Sequence, residues 1–145
     1  MRRFNEAWLL NPNSPQPYWG FGAILHDQGK VHEALAMLNR ASELDPLNPR
    51  LIADLARVVA LRATVARTTA EREMYFTRAC ELFEKANALE PSNGHSYGLW
   101  AAALYDQGRY AKAWEKVHKA KELRAAIPEQ FLRMLREKMA EPKGP

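Results

Sequence analysis

A pattern of large and small residues that returns every 34 positions constrains this chain more than any other feature. Ala7 and Ala41 are 34 residues apart, and so are Ala86 and Ala120. A period of this length corresponds to one supersecondary unit that cannot bury its apolar face alone. Successive units must therefore stack on each other, and the chain is expected to form one continuous array rather than a globule around a central core.

Turn motifs also recur at equivalent points of each unit. The tripeptide Asp-Gln-Gly ends at Gly29 and again at Gly108, while Leu-Asp-Pro ends at Pro46 and Leu-Glu-Pro at Pro91. Glycine allows a tight turn, and proline ends a helix because it disfavours the helical backbone in the residue before it. Each unit is thus predicted to be a helix–turn–helix, in which small residues such as Gly22 leave room for large ones on the facing helix.

The pattern resembles the tetratricopeptide repeat, a 34-residue helix–turn–helix with the motif Trp-x-x-Leu-Gly-x-x-Tyr followed by Ala-x-x-x-Phe, Ala and Pro. The matching positions are Tyr18, Gly22, Leu25, Ala34, Leu38, Ala41 and Pro46 in the first full repeat, Ile52, Leu55, Ala56, Val59, Ala79, Phe83, Ala86 and Pro91 in the second, and Tyr97, Trp100, Ala101, Leu104, Ala113, Val117 and Ala120 in the third. The resemblance implies an all-α fold: a right-handed superhelical stack of helix–turn–helix repeats, or α-solenoid, closed by a C-terminal capping helix.

The expected organisation is a single array over residues 1–145, with a partial repeat (second helix only) at 1–12, repeat 1 at 15–48, repeat 2 at 49–93, repeat 3 at 94–127 and a capping helix at 128–139. Pro46 and Pro91 are 45 residues apart, so repeat 2 carries an 11-residue insertion. The inserted stretch, about Leu61 to Met74, contains no Gly or Pro. Since 11 residues make about three helical turns, two elongated helices that form a spur are predicted; a disordered loop is the alternative.

Two helices are expected to bury particular apolar side chains. Thr68 and Glu71 have the spacing of a capping box that starts the second long helix, and Met74 is expected on the inward face of that helix. A capping helix needs one apolar face for the stack and a polar remainder. The apolar face is expected to contain Phe131, Met134 and Leu135.

Composition narrows the class of protein. No run of 18 apolar residues is present, so no membrane insertion is expected, and a soluble protein of the cytoplasm or the periplasm is predicted. The single cysteine, Cys80, excludes an internal disulfide framework and a multi-cysteine zinc site; it is expected to be buried and inert. The net charge of +4 favours acidic partners, and the lysines of 112–121 are interpreted as a solvated helix face because glutamates interrupt them.

The candidate catalytic and metal-binding motifs in the sequence are each incomplete. His32 and Glu33 begin like a zinc protease motif, but Ala36 occupies the position of the second histidine. Gly20 and Gly22 lack the third glycine of a dinucleotide-binding loop and follow no predicted strand. The chain is therefore not expected to be an enzyme, and no cofactor or metal is expected.

The resemblance implies that a partner binds on the concave side, which is lined by the first helix of each repeat. The first-helix residues that the packing motif does not use are Gln16, Trp19, Ala23, His26, Arg50, Ala53, Asp54, Arg57, His95, Gly98, Ala102 and Tyr105. Trp19 is interpreted as an exposed aromatic anchor, with the alternative that it packs against Trp8 or Leu9. Arg50 and Arg57 could neutralise an acidic group of the partner.

Co-chaperones of the family hold the C-terminal carboxylate of heat-shock chaperones with lysine, asparagine and arginine side chains in this groove. The matching positions here are Trp19, Ala23, Asp54, His95 and Leu99. None of them carries a required residue, and Asp54 would repel a carboxylate. No such clamp is predicted.

The function predicted from these observations is a non-catalytic scaffold or adaptor, in a style of repeat that resembles bacterial ones, that binds a protein or peptide in the groove. Self-association into a homo-oligomer, through the spur or the open N-terminal end, remains the alternative. RNA binding by the groove is a weaker alternative, because the charge is only mildly basic; nucleic acid is not an expected partner.

Overall fold

The computed structural model describes residues 12–143, which form α-helices joined by short turns and contain no strand. The helices are α1 (Pro15–Asp27), α2 (Val31–Leu44), α3 (Pro49–Thr64), α4 (Thr69–Leu89), α5 (Gly94–Asp106), α6 (Tyr110–Glu122) and α7 (Glu129–Lys138). The most extensive packing occurs within three consecutive hairpins, α1–α2, α3–α4 and α5–α6, and each hairpin also contacts the next. The chain is therefore the all-α repeat stack expected from its sequence. The predicted partial repeat at 1–12 lies outside the described residues, apart from Pro12.

The repeated Asp-Gln-Gly motif forms the same turn twice. Gly29 has φ 75° and Gly108 has φ 74°, a left-handed backbone that glycine adopts without steric cost. The amide of Lys30 donates to the carbonyl of Leu25 at 2.9 Å, and the equivalent bond after Gly108 has the same length. This bonding pattern closes the end of a helix and reverses the chain. The α6 helix ends in the same way, but there Arg124 takes the left-handed conformation, with φ 62°.

Small residues allow close contact between the two helices of a hairpin. A Cβ atom at Gly22 would lie 2.8 Å from Cγ of Leu38, which is closer than carbon atoms can approach. Ala34 and Ala41, also on α2, are fully buried. One continuous apolar core runs through the hairpins from Tyr18 to Leu135, as an array of stacked repeats requires.

The insertion in the middle hairpin is helical, and the disordered-loop alternative is wrong. The α3 and α4 helices have 16 and 21 residues, and only residues 65–68 separate them. The hydroxyl of Thr68 accepts a bond from the amide of Glu71 at 3.1 Å, and the Glu71 carboxylate accepts one from the amide of Arg67 at 3.3 Å. These bonds satisfy amide groups that a helix start would otherwise leave without partners.

Met74 does not face inward as predicted: it is 59% exposed, whereas Phe76 is 8% exposed. Successive helical residues are about 100° apart, so positions 74 and 76 lie on opposite sides of α4 and cannot both face the core. The pattern was assigned to the wrong phase at the start of this helix. Cys80, expected to be buried, is only partly buried.

The α7 helix packs on the stack through Leu132 and Leu135, which are 5% and 0% exposed. Phe131 is partly buried against the core, but Met134 is 38% exposed, so its place on the apolar face was wrongly predicted. Residues 131, 132 and 135 form a stripe at the i, i+1, i+4 spacing of one helix face, and position 134 lies outside this stripe.

Candidate partner-binding groove

A cavity of about 380 Å³ lies between the first helices of the three hairpins, α1, α3 and α5. We call it the polar pocket. Its walls carry one aromatic side chain, several polar side chains and two apolar ones. They are Trp19, Arg50, Ala53, Asp54, Asn93, His95 and Leu99.

The helix starts position the polar residues of this pocket. Pro49 occupies the first turn of α3, and the Asn48 side chain accepts bonds from the amides of Arg50 and Leu51. The α3 helix therefore begins at the edge of the pocket and presents Arg50 there. At the equivalent position before α5, Asn93 makes no such capping bond. The side-chain amide of Asn93 therefore does not cap the helix and can form hydrogen bonds with a ligand in the pocket.

Two carboxylates compensate the charges of the polar pocket. Asp54 accepts a hydrogen bond of 2.8 Å from the indole nitrogen of Trp19 and lies 3.7 Å from the guanidinium of Arg57. Arg50 pairs with Glu90 at 3.2 Å, but the Arg50 side chain is 71% exposed. An ion pair this exposed contributes at most about 1 kcal/mol, so a ligand carboxylate can compete for Arg50.

Trp19 is neither a free anchor nor a core residue. Its ring is half-buried against the core, its nitrogen bonds to Asp54, and it also lines the polar pocket. Its role as an anchor for a partner stays a prediction. Its suggested partners Trp8 and Leu9 lie outside the described residues.

A second cavity, of about 290 Å³, lies next to the first, on the other side of α5. We call it the apolar pocket. Gly98 and Ala102 on α5 form its floor, and the segment after α6 and the α7 helix form its walls. A Cβ atom at Gly98 would lie 3.1 Å from Cδ1 of Ile127, so any larger residue there would narrow the pocket. His95 and Leu99 line both pockets, so the two cavities are adjacent.

The structure distributes the expected groove residues unevenly. The polar pocket is lined by Trp19, Arg50, Ala53, Asp54 and His95, and the apolar pocket by His95, Gly98 and Ala102. The residues that line neither pocket are Gln16, Ala23, His26, Arg57 and Tyr105. Arg57 is held at Asp54, and the ring of Tyr105 packs edge-on against Phe131 at 5.7 Å.

Sequence reasoning did not place Asn93, Ala126, Ile127, Pro128 and Phe131 in the groove, although they line it. One signal was available for Ala126, Ile127 and Pro128. The segment after α6 is apolar, whereas a solvent-exposed connection between helices is normally polar. An apolar connection indicates that it covers something or is itself covered.

Other kinds of site find little support in the described part of the chain. Among residues 12–143, no three His, Cys, Asp or Glu side chains lie together in a way that could hold a metal ion. None of the helices described is both long enough and apolar enough to cross a membrane.

Comparison with known proteins gives a family match for one part of the chain. The sequence profile of the tetratricopeptide repeat family matches residues 95–115, which lie in α5 and α6. No curated protein matches the chain.

Several solved structures share the fold. TTC0263, a thermophilic tetratricopeptide repeat protein of Thermus thermophilus, superimposes with a TM-score of 0.75 at 19% identity, over 90% of this chain and 71% of that one. A crystal structure of MamA gives 0.63 at 19% identity, over 90% and 67%. The MamA RS-1 ArsTM double mutant gives 0.64 at 19% identity, over 84% of this chain and 62% of that one. Similarity at this level of identity establishes the fold and leaves the partner open.

Proposed function

Because the chain is a stack of tetratricopeptide repeats, we propose that it is a non-catalytic scaffold that binds an extended segment of a partner protein along α1, α3 and α5. This fold is used generally for protein–protein interaction. One observation carries the proposal here: the polar pocket of about 380 Å³ is open on the face where the first helices of all three hairpins meet.

The side chains of the pocket suit a peptide segment. Trp19 offers a large, partly buried aromatic surface of the kind that contributes most to protein interfaces. Asn93, His95 and Arg50 can donate hydrogen bonds, and a partner with acidic residues is favoured because Asp54 is already occupied by Trp19 and Arg57. Since the clamp positions Trp19, Asp54 and His95 carry no lysine or asparagine, a heat-shock chaperone C-terminus is not the proposed partner.

A matched pair of variants tests the groove. His95→Glu places a carboxylate in the groove, whereas His32→Glu makes the same change on α2, at a residue that is also exposed but lies outside both pockets. Peptides are first selected on the full chain from a random 12-residue library, and their affinities are measured by fluorescence polarisation. We expect His95→Glu to weaken binding at least tenfold and His32→Glu to change it less than twofold. Equal effects of the two variants would show that the peptides bind elsewhere.

Self-association is the second candidate function, and one observation favours it. Two exposed apolar side chains lie close to the junction of α3 and α4: Val65 in the turn, at 50%, and Met74 in the second turn of α4, at 59%. Exposed apolar side chains near each other often mark contact surfaces between proteins. Light scattering over a range of concentrations, with Met74→Glu compared with Met134→Glu, distinguishes this candidate. A dimer that Met74→Glu alone abolishes would support it.

RNA binding remains the weakest candidate, because the groove arginines Arg50 and Arg57 are both paired with carboxylates. A groove that binds a phosphate backbone needs uncompensated positive charge, and its affinity falls steeply with salt. We expect a single-stranded RNA probe to bind weakly at most. Its affinity for the wild type should be no higher than its affinity for His95→Glu.

A further inference from the structure

The residues that the capping segment contributes to the apolar pocket are partly buried or exposed. Leu132 and Leu135 are the buried residues of α7, at 5% and 0% exposure. Phe131 and Ile127 pack partly against the core and, together with Pro128, also line the groove. The pocket is therefore built where the capping segment meets the partner-binding groove.

The size of the apolar pocket limits what it can hold. Sites for drug-sized ligands have volumes of about 300–1,000 Å³, so a cavity of about 290 Å³ is at the lower limit for an independent small molecule. It is ample for one large side chain. Apart from His95 at its edge, none of the residues that line it is ionisable, and a charged group would lose its hydration there without gaining a partner.

The neighbouring polar pocket has the opposite chemistry. Arg50 and His95 are exposed donors, and Asn93 has no capping bond. The one carboxylate on its walls, Asp54, is already occupied by Trp19 and Arg57. A single ligand carboxylate can replace Glu90 at the exposed side chain of Arg50, and the chain as a whole has a net charge of +4. His95 and Leu99 line both pockets, so the pockets are adjacent and a single segment that crosses α5 can reach both.

Resting on the proposed function, we infer that the partner segment is bipartite: an acidic side chain enters the polar pocket, and a large apolar side chain, Leu, Met or Phe, enters the apolar pocket. Neighbouring helix axes are about 8–10 Å apart, and an extended chain advances about 3.3 Å per residue. The two side chains are therefore about two to four positions apart. The α7 helix and the connection before it, which the sequence pattern marks only as a cap, thus select the apolar residue of the partner.

The test uses the full chain and the same random 12-residue library. Ala102→Leu fills the floor of the apolar pocket, and Ala36→Leu makes the same change on the exposed face of α2. We expect the selected peptides to share an acidic residue and a Leu, Met or Phe at the stated spacing. We further expect Ala102→Leu to weaken their binding at least tenfold, and Ala36→Leu less than twofold.

A second measurement does not depend on whether a variant of the chain folds correctly. In the selected peptides, the apolar residue is replaced by serine and binding to the unaltered chain is measured; a loss of at least tenfold is expected. The inference would be overturned if His95→Glu weakened peptide binding but neither Ala102→Leu nor the serine replacement did so. The proposed function would still stand in that case.

Two further outcomes would also overturn it. If neither His95→Glu nor Ala102→Leu weakened peptide binding, the proposed function would be overturned as well. If the library yields no binder, and light scattering shows that Ala102→Leu dissociates an oligomer, the pocket is occupied by a second copy of the chain rather than by a bipartite partner segment.

Discussion

The indole nitrogen of Trp19 on α1 donates a 2.8 Å hydrogen bond to the carboxylate of Asp54 on α3, and this bond joins the first two hairpins across the polar pocket. The two residues are 35 positions apart in the sequence. The contact orients the tryptophan ring at the groove and compensates part of the charge of Asp54. The same pair therefore contributes to the stability of the stack and to the shape of its binding surface.

Trp19→Phe tests the contribution of this bond, because phenylalanine keeps a ring and removes the donor. We expect the free energy of unfolding in urea to fall by about 1.5–3 kcal/mol, the usual range for a hydrogen bond to a charged group. In an Asp54→Ala background the same substitution should cost about 1 kcal/mol less, which is the coupling energy of the pair. A coupling energy near zero would mean that the bond contributes nothing to stability.

Gly22 and Gly20 make a matched pair on one helix. A Cβ at Gly22 would lie 2.8 Å from Cγ of Leu38, whereas a Cβ at Gly20 would meet nothing within 4 Å. Gly22→Ala should destabilise the protein by about 1–3 kcal/mol through overpacking. Gly20→Ala should stabilise it by up to about 1 kcal/mol, because alanine has the higher helix propensity. Thermal and urea unfolding of both variants check the opposite signs; the same sign for both would contradict the close contact of α1 and α2.

Thr68 and Ser14 differ in how they begin their helices. The Thr68 hydroxyl accepts a bond from the amide of Glu71 at 3.1 Å, but Ser14 makes no side-chain capping bond at the start of α1. Thr68→Ala is therefore expected to lower the free energy of unfolding by about 1 kcal/mol, and Ser14→Ala to leave it nearly unchanged. If Ser14→Ala proved as costly as Thr68→Ala, the difference between the two helix starts would be refuted.

Leu135 and Met134 are adjacent on α7 but lie in different surroundings. Leu135 is fully buried, whereas Met134 is 38% exposed. Leu135→Ala should cost about 2–5 kcal/mol, the range for removing a large buried side chain, and Met134→Ala less than about 1 kcal/mol. Chemical denaturation measures both. Equal costs would mean that α7 is packed on the stack in a different rotation about its axis.

Cys80 provides a chemical probe of the α4 surface. Burial raises the pKa of its thiol, and this effect outweighs the nearby Trp100 and Arg109, which lower the pKa. Since only the thiolate reacts, we expect iodoacetamide to alkylate the folded chain several-fold more slowly than the urea-unfolded chain at pH 8. The raised pKa also means that this thiol stabilises the fold below its ordinary pKa, and that this contribution is lost as the pH rises through the folded-state value. Equal alkylation rates for the folded and unfolded chains would contradict the burial of this thiol.

The sequence by itself determined the repeating unit, because the information for it is local. Gly29 and Gly108 specify the same left-handed turn, and Pro46 and Pro91 follow second helices whose last residues are Leu44 and Leu89. The inserted residues of the middle hairpin contain no helix breaker and have a capping threonine, so they were correctly predicted to be helical. Each of these features depends on residues within a few positions of each other.

Only the tertiary structure decided which side chains meet in the groove. The bond from Trp19 to Asp54 and the closure of a pocket over Gly98 by Ile127 join residues that are far apart along the chain. Periodicity assigns a residue to a helix face, but the rotation of each helix about its own axis is set by the packing of all its neighbours. For this reason Met74 and Met134, near the ends of apolar stripes, were assigned to the wrong face, and the apolar pocket beside α7 became visible only in the folded chain.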